Sequence, residues 1–258
     1  MTILAWQRAG PKRVLAPAVV LVHRWASDGL TDWQATGWVE ALTAKGLEVL
    51  VPDLPGHGAS ADVLVPEGAE PASWTAQTIE ADLTLLDVGP FSAVGWAQGG
   101  WVASHLAVRL PRRVTQLVLV SCDDRQGLPH AHDIATALRD PTASVWNLEA
   151  AELLSRVRAD RRHHLPTLAD WAERAAWPAA PRLGALRTPV LLAVGTRDSH
   201  RERAPRLAGL FHDARLVTEP GDDRTVVASA ALHADVVAFL RSGKPGSSAD
   251  AGSFGDRQ

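Results

Sequence analysis

Short apolar runs alternate with longer amphipathic stretches along most of the chain. Ala18–His23 (AVVLVH), Leu47–Pro52 (LEVLVP), Phe91–Gly95, Val114–Ser121 (VTQLVLVS) and Pro189–Gly195 (PVLLAVG) are short, continuous and mostly rich in β-branched residues. That pattern predicts strands buried on both faces. Helical spacing is read over Thr31–Lys45 (stopped by Gly46), over Ser73–Asp87 with Ser73 as N-cap, and over Gln98–Leu110. A helix near Glu202–Leu210, a strand around Ala214–Thr218 and a last helix over Thr225–Leu240 complete the alternation. Strand and helix in turn predict an α/β fold, a mostly parallel central sheet with helices on both faces. From Asp123 to Pro181 the alternation breaks. This stretch is helical in pattern, rich in Arg, His and Trp, and has no clear buried strand. It is expected to be an inserted helical cap (123–181) between two parts of one core (1–122 and 182–241). The small, polar tail 242–258 is expected to be disordered.

Composition narrows the function. The 26 Lys and Arg against 29 Asp and Glu leave a formal charge of -3, which disfavours a polyanion-binding surface, so no nucleic acid is expected. The longest apolar run, Val14–Val22, has nine residues. A membrane helix needs about 20, so no membrane partner is expected either. A single cysteine, Cys122, cannot form an internal disulfide; nothing marks secretion, and a cytoplasmic location is expected. The sequence leaves the oligomeric state open.

In an open parallel sheet, ligands bind at the carboxyl ends of the strands. The most specific loop there is Val94-Gly95-Trp96-Ala97-Gln98-Gly99-Gly100, between an apolar strand and an amphipathic helix. Its glycines stand two residues either side of position 97, the frame of a nucleophile elbow, G-x-S-x-G. With this loop the chain resembles the α/β-hydrolase family. His23 is similar to the His of that family's oxyanion-loop His-Gly pair. Asp53-Leu54-Pro55-Gly56-His57-Gly58-Ala59-Ser60 resembles its D-x-x-G-x-G-x-S loop. Gly195-Thr196-Arg197-Asp198 resembles the loop that carries the triad acid, and Pro220-Gly221-Asp222 falls where the family has Gly-His. The resemblance spans roughly residues 3–240 and implies the α/β-hydrolase fold.

Three positions depart from that pattern. Ala97 stands at the nucleophile position and has no atom to attack an acyl carbon. Asp222, followed by Asp223, stands at the histidine position. Arg24 replaces the oxyanion-loop glycine and puts a large cation at the mouth of the site. Of the triad only Asp198 remains. One inactivating Ser→Ala change would have left the histidine, so divergence at both positions is the better reading.

The remaining candidates each carry two readings. His200, two residues past Asp198, is a candidate replacement base or a solvated residue at a helix start. Asp198 and Asp222 are a possible acid pair, one carboxyl raised by the other, unless Arg24 or Arg197 neutralises them. His23, Arg24, Trp25, Trp96 and Gln98 are candidate ligand contacts, with backbone N–H groups of Trp25 and Gln98 as oxyanion donors implied by the resemblance. His23 and His57 are equally at home bracing loops. Cys122 reads as a small buried residue, with Asp123 beside it at the pocket's border. His163-His164 reads as a solvated basic face, because neighbouring histidines on a helix diverge by about 100° and no ligand set completes them. Neither metal nor cofactor is expected, since Gly95–Gly100 lacks dinucleotide-loop spacing. The expectation drawn from these residues is a non-hydrolytic homologue that binds a small carbonyl or acyl ligand. The alternative is an active hydrolase, lyase or cyclase-type enzyme using acid and base groups outside the triad. A protein-interaction module with the cap as binding face is a third option.

Overall fold

The structure, a computed structural model, describes residues 2–11 and 17–242. Its strands are β1 (Trp6–Ala9), β2 (Ala18–Val22), β3 (Val49–Pro52), β4 (Phe91–Trp96), β5 (Val114–Val120), β6 (Val190–Gly195) and β7 (Ala214–Glu219). They form one sheet in the order β1-β3-β2-β4-β5-β6-β7, with β1 antiparallel to β3 and every other pairing parallel. This is the mostly parallel α/β sheet expected from the alternation, in the form that the resemblance implies. Strand β1 is not legible in the sequence because its WQRA segment is half exposed at the sheet edge and carries no apolar pattern.

The helices are α1 (Trp38–Thr43), α2 (Pro71–Leu85), α3 (Gly99–Arg109), α4 (Ala131–Arg139), α5 (Leu148–Ala159), α6 (Leu165–Arg174), α7 (Ala180–Gly184), α8 (Ala204–Ala208), α9 (Asp223–Val227) and α10 (Ala230–Ser242). They cover both faces. Alternate side chains of β2 divide the core: Val20 and Val22 pack towards α2, α3 and the helices after β5, while Val19 and Leu21 pack towards α1, α9 and α10. All five β2 residues are therefore buried, and the sequence reads as an unbroken apolar run. The tryptophan excess is partly a packing matter. Trp33, Trp38 and Trp96 are fully buried on the second face, with Trp33 edge-on to Trp38 at 5.2 Å and to Trp96 at 6.3 Å.

Three predicted boundaries move. The helix expected over Thr31–Lys45 is two pieces, a π-turn at Leu30–Gln34 and then α1, divided by Gly37 at φ +85°. The helix expected from Ser73 starts at Pro71, because Pro71 fits the first turn and the Glu70 carboxylate caps the N–H groups of Ala72 and Ser73. The last helix is α9 and α10. The tail expected to be disordered lies, beyond Ser242, outside the described residues. Among those residues no helix is long and apolar enough to cross a membrane.

Candidate active site

The elbow is present without its nucleophile. Strand β4 ends at Trp96, Ala97 takes φ +48°, and α3 begins at Gly99. A left-handed φ at a residue with a Cβ costs about 1–2 kcal/mol. Close packing fixes the glycines: a Cβ at Gly99 would lie 2.1 Å from the Val22 carbonyl oxygen, and one at Gly95 would lie 2.5 Å from the Gly100 nitrogen. The turn is thus held in its strained form although residue 97 carries only a methyl.

Beside the elbow stand the backbone N–H groups of Gln98, at the start of α3, and of Trp25. Neither donates to another group among the described residues. The indole of Trp25 donates to the Leu168 carbonyl at 3.0 Å, pinning this loop to α6. Arg24 is tightly held. Its guanidinium lies 4.1 Å over the Trp96 ring, with Nε 3.2 Å from Asp32 and Nη1 3.8 Å from Asp223. Burial pushes the Asp32 carboxyl above its ordinary range, against the pull of Arg24. His23 braces two loops. Its Nδ1 is 2.8 Å from the Arg24 carbonyl, and its Nε2 accepts the Leu54 N–H at 2.9 Å. Both ring nitrogens are thereby occupied, and His23 and Trp96 sit in the core rather than on the cavity wall.

The expected Asp198–Asp222 pair is corrected by the structure. Asp222 is exposed and caps α9, accepting from the Thr225 N–H at 2.8 Å and the Thr225 hydroxyl at 2.6 Å. The Thr225 hydroxyl and N–H hold its carboxyl below the usual range. Asp198 is buried and accepts the backbone N–H of His200 at 2.9 Å, which positions the loop after β6. The histidine pair at 163–164 is corrected too: His163 is buried against His57, ring centroids 5.5 Å apart, and His164 caps α6. Among the described residues no set of three His, Cys, Asp or Glu side chains is placed to hold a metal ion.

The structure instead pairs His200 with Asp123. Asp123 follows the carboxyl end of β5 and is buried; its Oδ2 lies 2.8 Å from His200 Nδ1. Arg125 holds the same carboxylate through Nε at 2.7 Å and its own backbone N–H at 2.8 Å. Burial pushes the Asp123 carboxyl up, but the hydrogen bonds from His200 and Arg125 outweigh it and hold the group well below the carboxylate range. An ionised acceptor at that distance favours the tautomer with the imidazole proton on Nδ1, and Nε2 makes no hydrogen bond among the described residues. The Arg125 guanidinium also lies 3.2 Å from Nδ1; it can donate only to the opposite tautomer, so it competes with the shorter 2.8 Å contact to Asp123. The sequence offers His200 either as a candidate replacement base or as a solvated residue at a helix start, and the structure places its ring against Asp123. Asp123 is visible in the sequence only as a carboxylate just past a strand end, overshadowed by its neighbour Cys122. That thiol is inert: burial pushes it far up, and the Asp123 and Asp198 charges add to the push.

His200 and Gln98 line a cavity of about 500 Å³ that reaches Ala97, the Arg24–Ser27 loop, α5 and α9. Its wall mixes Leu128, Leu153 and Val157 with Arg24, Arg156, Arg162 and Arg224. Trp25, Gln98 and His200 thus border one cavity.

Comparison with known proteins agrees with this architecture. Residues 19–243 match the alpha/beta hydrolase family. The pimeloyl-(acyl-carrier protein) methyl ester esterase of Vibrio campbellii is 39% identical over 122 residues, covering 46% of this chain and 41% of that protein. Its namesake in Nitrosomonas europaea is 37% identical over 106 residues, covering 41% and 37%. The matched stretch is thus less than half the length of these curated relatives. The solved enol-lactonase of Burkholderia xenovorans LB400 shares the fold, with a TM-score of 0.74 over 92% of this chain and 96% of that one at 22% identity. The expectation of a non-hydrolytic binding homologue is overturned by the first two relatives, which are named as ester-cleaving enzymes. With a match over most of its length and the sheet order and elbow that go with it, the chain belongs to the alpha/beta hydrolase family.

Proposed function

We propose that the chain is an ester hydrolase that activates water directly, with His200 as general base and Asp123 as its orienting acid. The observation that carries this reading is the 2.8 Å contact between His200 Nδ1 and a buried, ionised Asp123 beside the strained elbow. The esterase names of the relatives support the substrate class. In this mechanism His200 Nε2 takes a proton from water as the water oxygen bonds to the ester carbonyl carbon. The resulting oxyanion lies between the N–H groups of Gln98 and Trp25, near the positive end of α3. Asp123 stabilises the imidazolium. Collapse breaks the carbonyl carbon–alkoxide bond, and the imidazolium returns its proton to the leaving alcohol. No covalent intermediate is required, so a methyl at position 97 is compatible with turnover. The α4–α6 stretch acts as a cap whose α5 supplies the upper wall, and a 500 Å³ cavity suits a small acyl or carbonyl substrate.

The test is initial-rate hydrolysis across a panel of methyl and aryl esters with short to long acyl chains, for the protein and for His200→Gln. Turnover above the buffer rate that falls at least about 100-fold in His200→Gln is expected. A protein no faster than buffer across the panel, or a variant as fast as its parent, overturns the reading.

A further inference from the structure

Directly beside Ala97 lies a second, inner pocket of about 20 Å³, bounded in part by Ser121, Asp123, Trp177 and His200. A single water needs about 10–15 Å³, so the pocket is large enough to hold one. Two polar atoms on its residues lack a partner. Ser121 Oγ and Trp177 Nε1 make no hydrogen bond among the described residues, although the residues are 0% and 6% exposed. A buried hydroxyl or indole N–H left unpaired costs about 1–3 kcal/mol, and native folds keep such groups where water or function uses them. Ser121 also sits at φ +50°, next to Ala97 at φ +48°. The Ala97 N–H donates to the Val120 carbonyl at 2.9 Å, which sets these two strained residues side by side at the carboxyl ends of β4 and β5.

We propose that this pocket seats the hydrolytic water, with Ser121 and Trp177 as positioning residues. The inference rests on the hydrolase reading and adds where the nucleophile stands. The hydrogen-bond valence of one water matches the three polar atoms that these lining residues carry. One proton goes to His200 Nε2 and the other to Ser121 Oγ. One lone pair accepts from Trp177 Nε1–H, and the second is left for the ester carbonyl carbon. When the new carbon–oxygen bond forms, His200 holds the proton that the departing alcohol later takes. Alanine at 97 is then part of the arrangement, because a hydroxyl there would enter the space the water uses.

Kinetics and a crystal structure test this. Ser121→Ala and Trp177→Phe each remove one positioning bond and keep the packing. Each is expected to lower kcat about 10- to 100-fold with KM changed less than about threefold, since a misplaced reactant loses rate rather than binding. Ala97→Ser is expected to lower kcat as well. A crystal structure is expected to place one water within hydrogen-bond distance of both Ser121 Oγ and Trp177 Nε1. Unchanged kcat in both variants, with His200→Gln inactive, overturns the water site and leaves the hydrolase reading standing; full activity in His200→Gln removes the reading itself. A fluorophosphonate adduct on Ser121 overturns the proposal by making that serine the nucleophile, and a pocket without ordered water overturns it irrespective of rates.

Discussion

Replacing Asp123 by Asn separates the orienting carboxylate from the rest of the site. The amide keeps the size and removes the charge. In the transition state of water attack His200 becomes an imidazolium, with Nδ1 2.8 Å from the Asp123 carboxylate and charge centres about 4 Å apart. At an effective dielectric constant near 20 that attraction is worth about 4 kcal/mol. Each 1.36 kcal/mol is a factor of about ten in rate, so Asp123→Asn is expected to lower kcat by about 10³. Arg125 adds to the loss: with the carboxylate gone, its guanidinium, 3.2 Å from Nδ1, opposes the imidazolium unscreened. The measurement is kcat and KM on the best ester of the panel at pH 7.5, with thermal unfolding of both proteins to establish that the variant is folded. The expected signature is a large fall in kcat with little change in KM. A folded Asp123→Asn within tenfold of its parent refutes the assignment of this pair as the base and its orienting acid.

Three further outcomes are expected. Asp222→Ala removes the cap of α9, so it should lower the melting temperature and leave the ester rate unchanged; a large rate loss would return Asp222 to the chemistry. Burial, with the His23 and His163 rings beside it, pushes the His57 pKa well below its ordinary value, so the folded state keeps this imidazole neutral while the unfolded chain protonates near pH 6.5. Its contribution is therefore fully present above that pH and is lost as the pH falls below it, by up to about 1.4 kcal/mol per pH unit; urea midpoints at pH 7.5 and 5.5 read this, and a stability that did not fall would contradict it. The double variant Ala97→Ser plus Asp222→His is expected to show neither an acyl-enzyme burst nor a faster rate, because residue 222 is exposed and turned to α9; fluorophosphonate labelling at position 97 would show the reverse.

Much of this molecule is legible in its sequence, for physical reasons that differ by element. Strands buried on both faces, such as β2 and β5, announce themselves as unbroken apolar runs. The elbow is legible because its glycines are sterically compelled. Strand β1 is silent, since an edge strand whose consecutive Gln7 and Arg8 are both exposed has no core pattern to display. In the site, His200 is found by its spacing from Asp198, whereas its partner is 77 positions away in the chain and only the sheet joins them. Turn chemistry misled in one place. Asp222 reads as a member of an acid pair but serves as an N-cap, a role that an Asp followed by a short helix equally signals.

On the reading proposed above, the strand order explains how a site that departs from the triad at two positions still has a base. Ala97, Asp123, His200 and Asp222 follow β4, β5, β6 and β7, which are consecutive neighbours in the sheet. A triad on the family plan takes its acid after β6 and its histidine after β7. Here the pair lies one strand nearer the elbow, on β5 and β6, whose axes are about 4.8 Å apart. That placement leaves His200 and Ala97 bordering the same small pocket. Arg24, bound to Asp32 and close to Asp223, ties the oxyanion loop to the start of α9, the loop in which the family carries its histidine. The three departures of the sequence are then one change in three parts. On that reading the base stands one strand over from the family plan, an arginine ties down the loop at the family's histidine position, and the methyl of Ala97 leaves room for the proposed water.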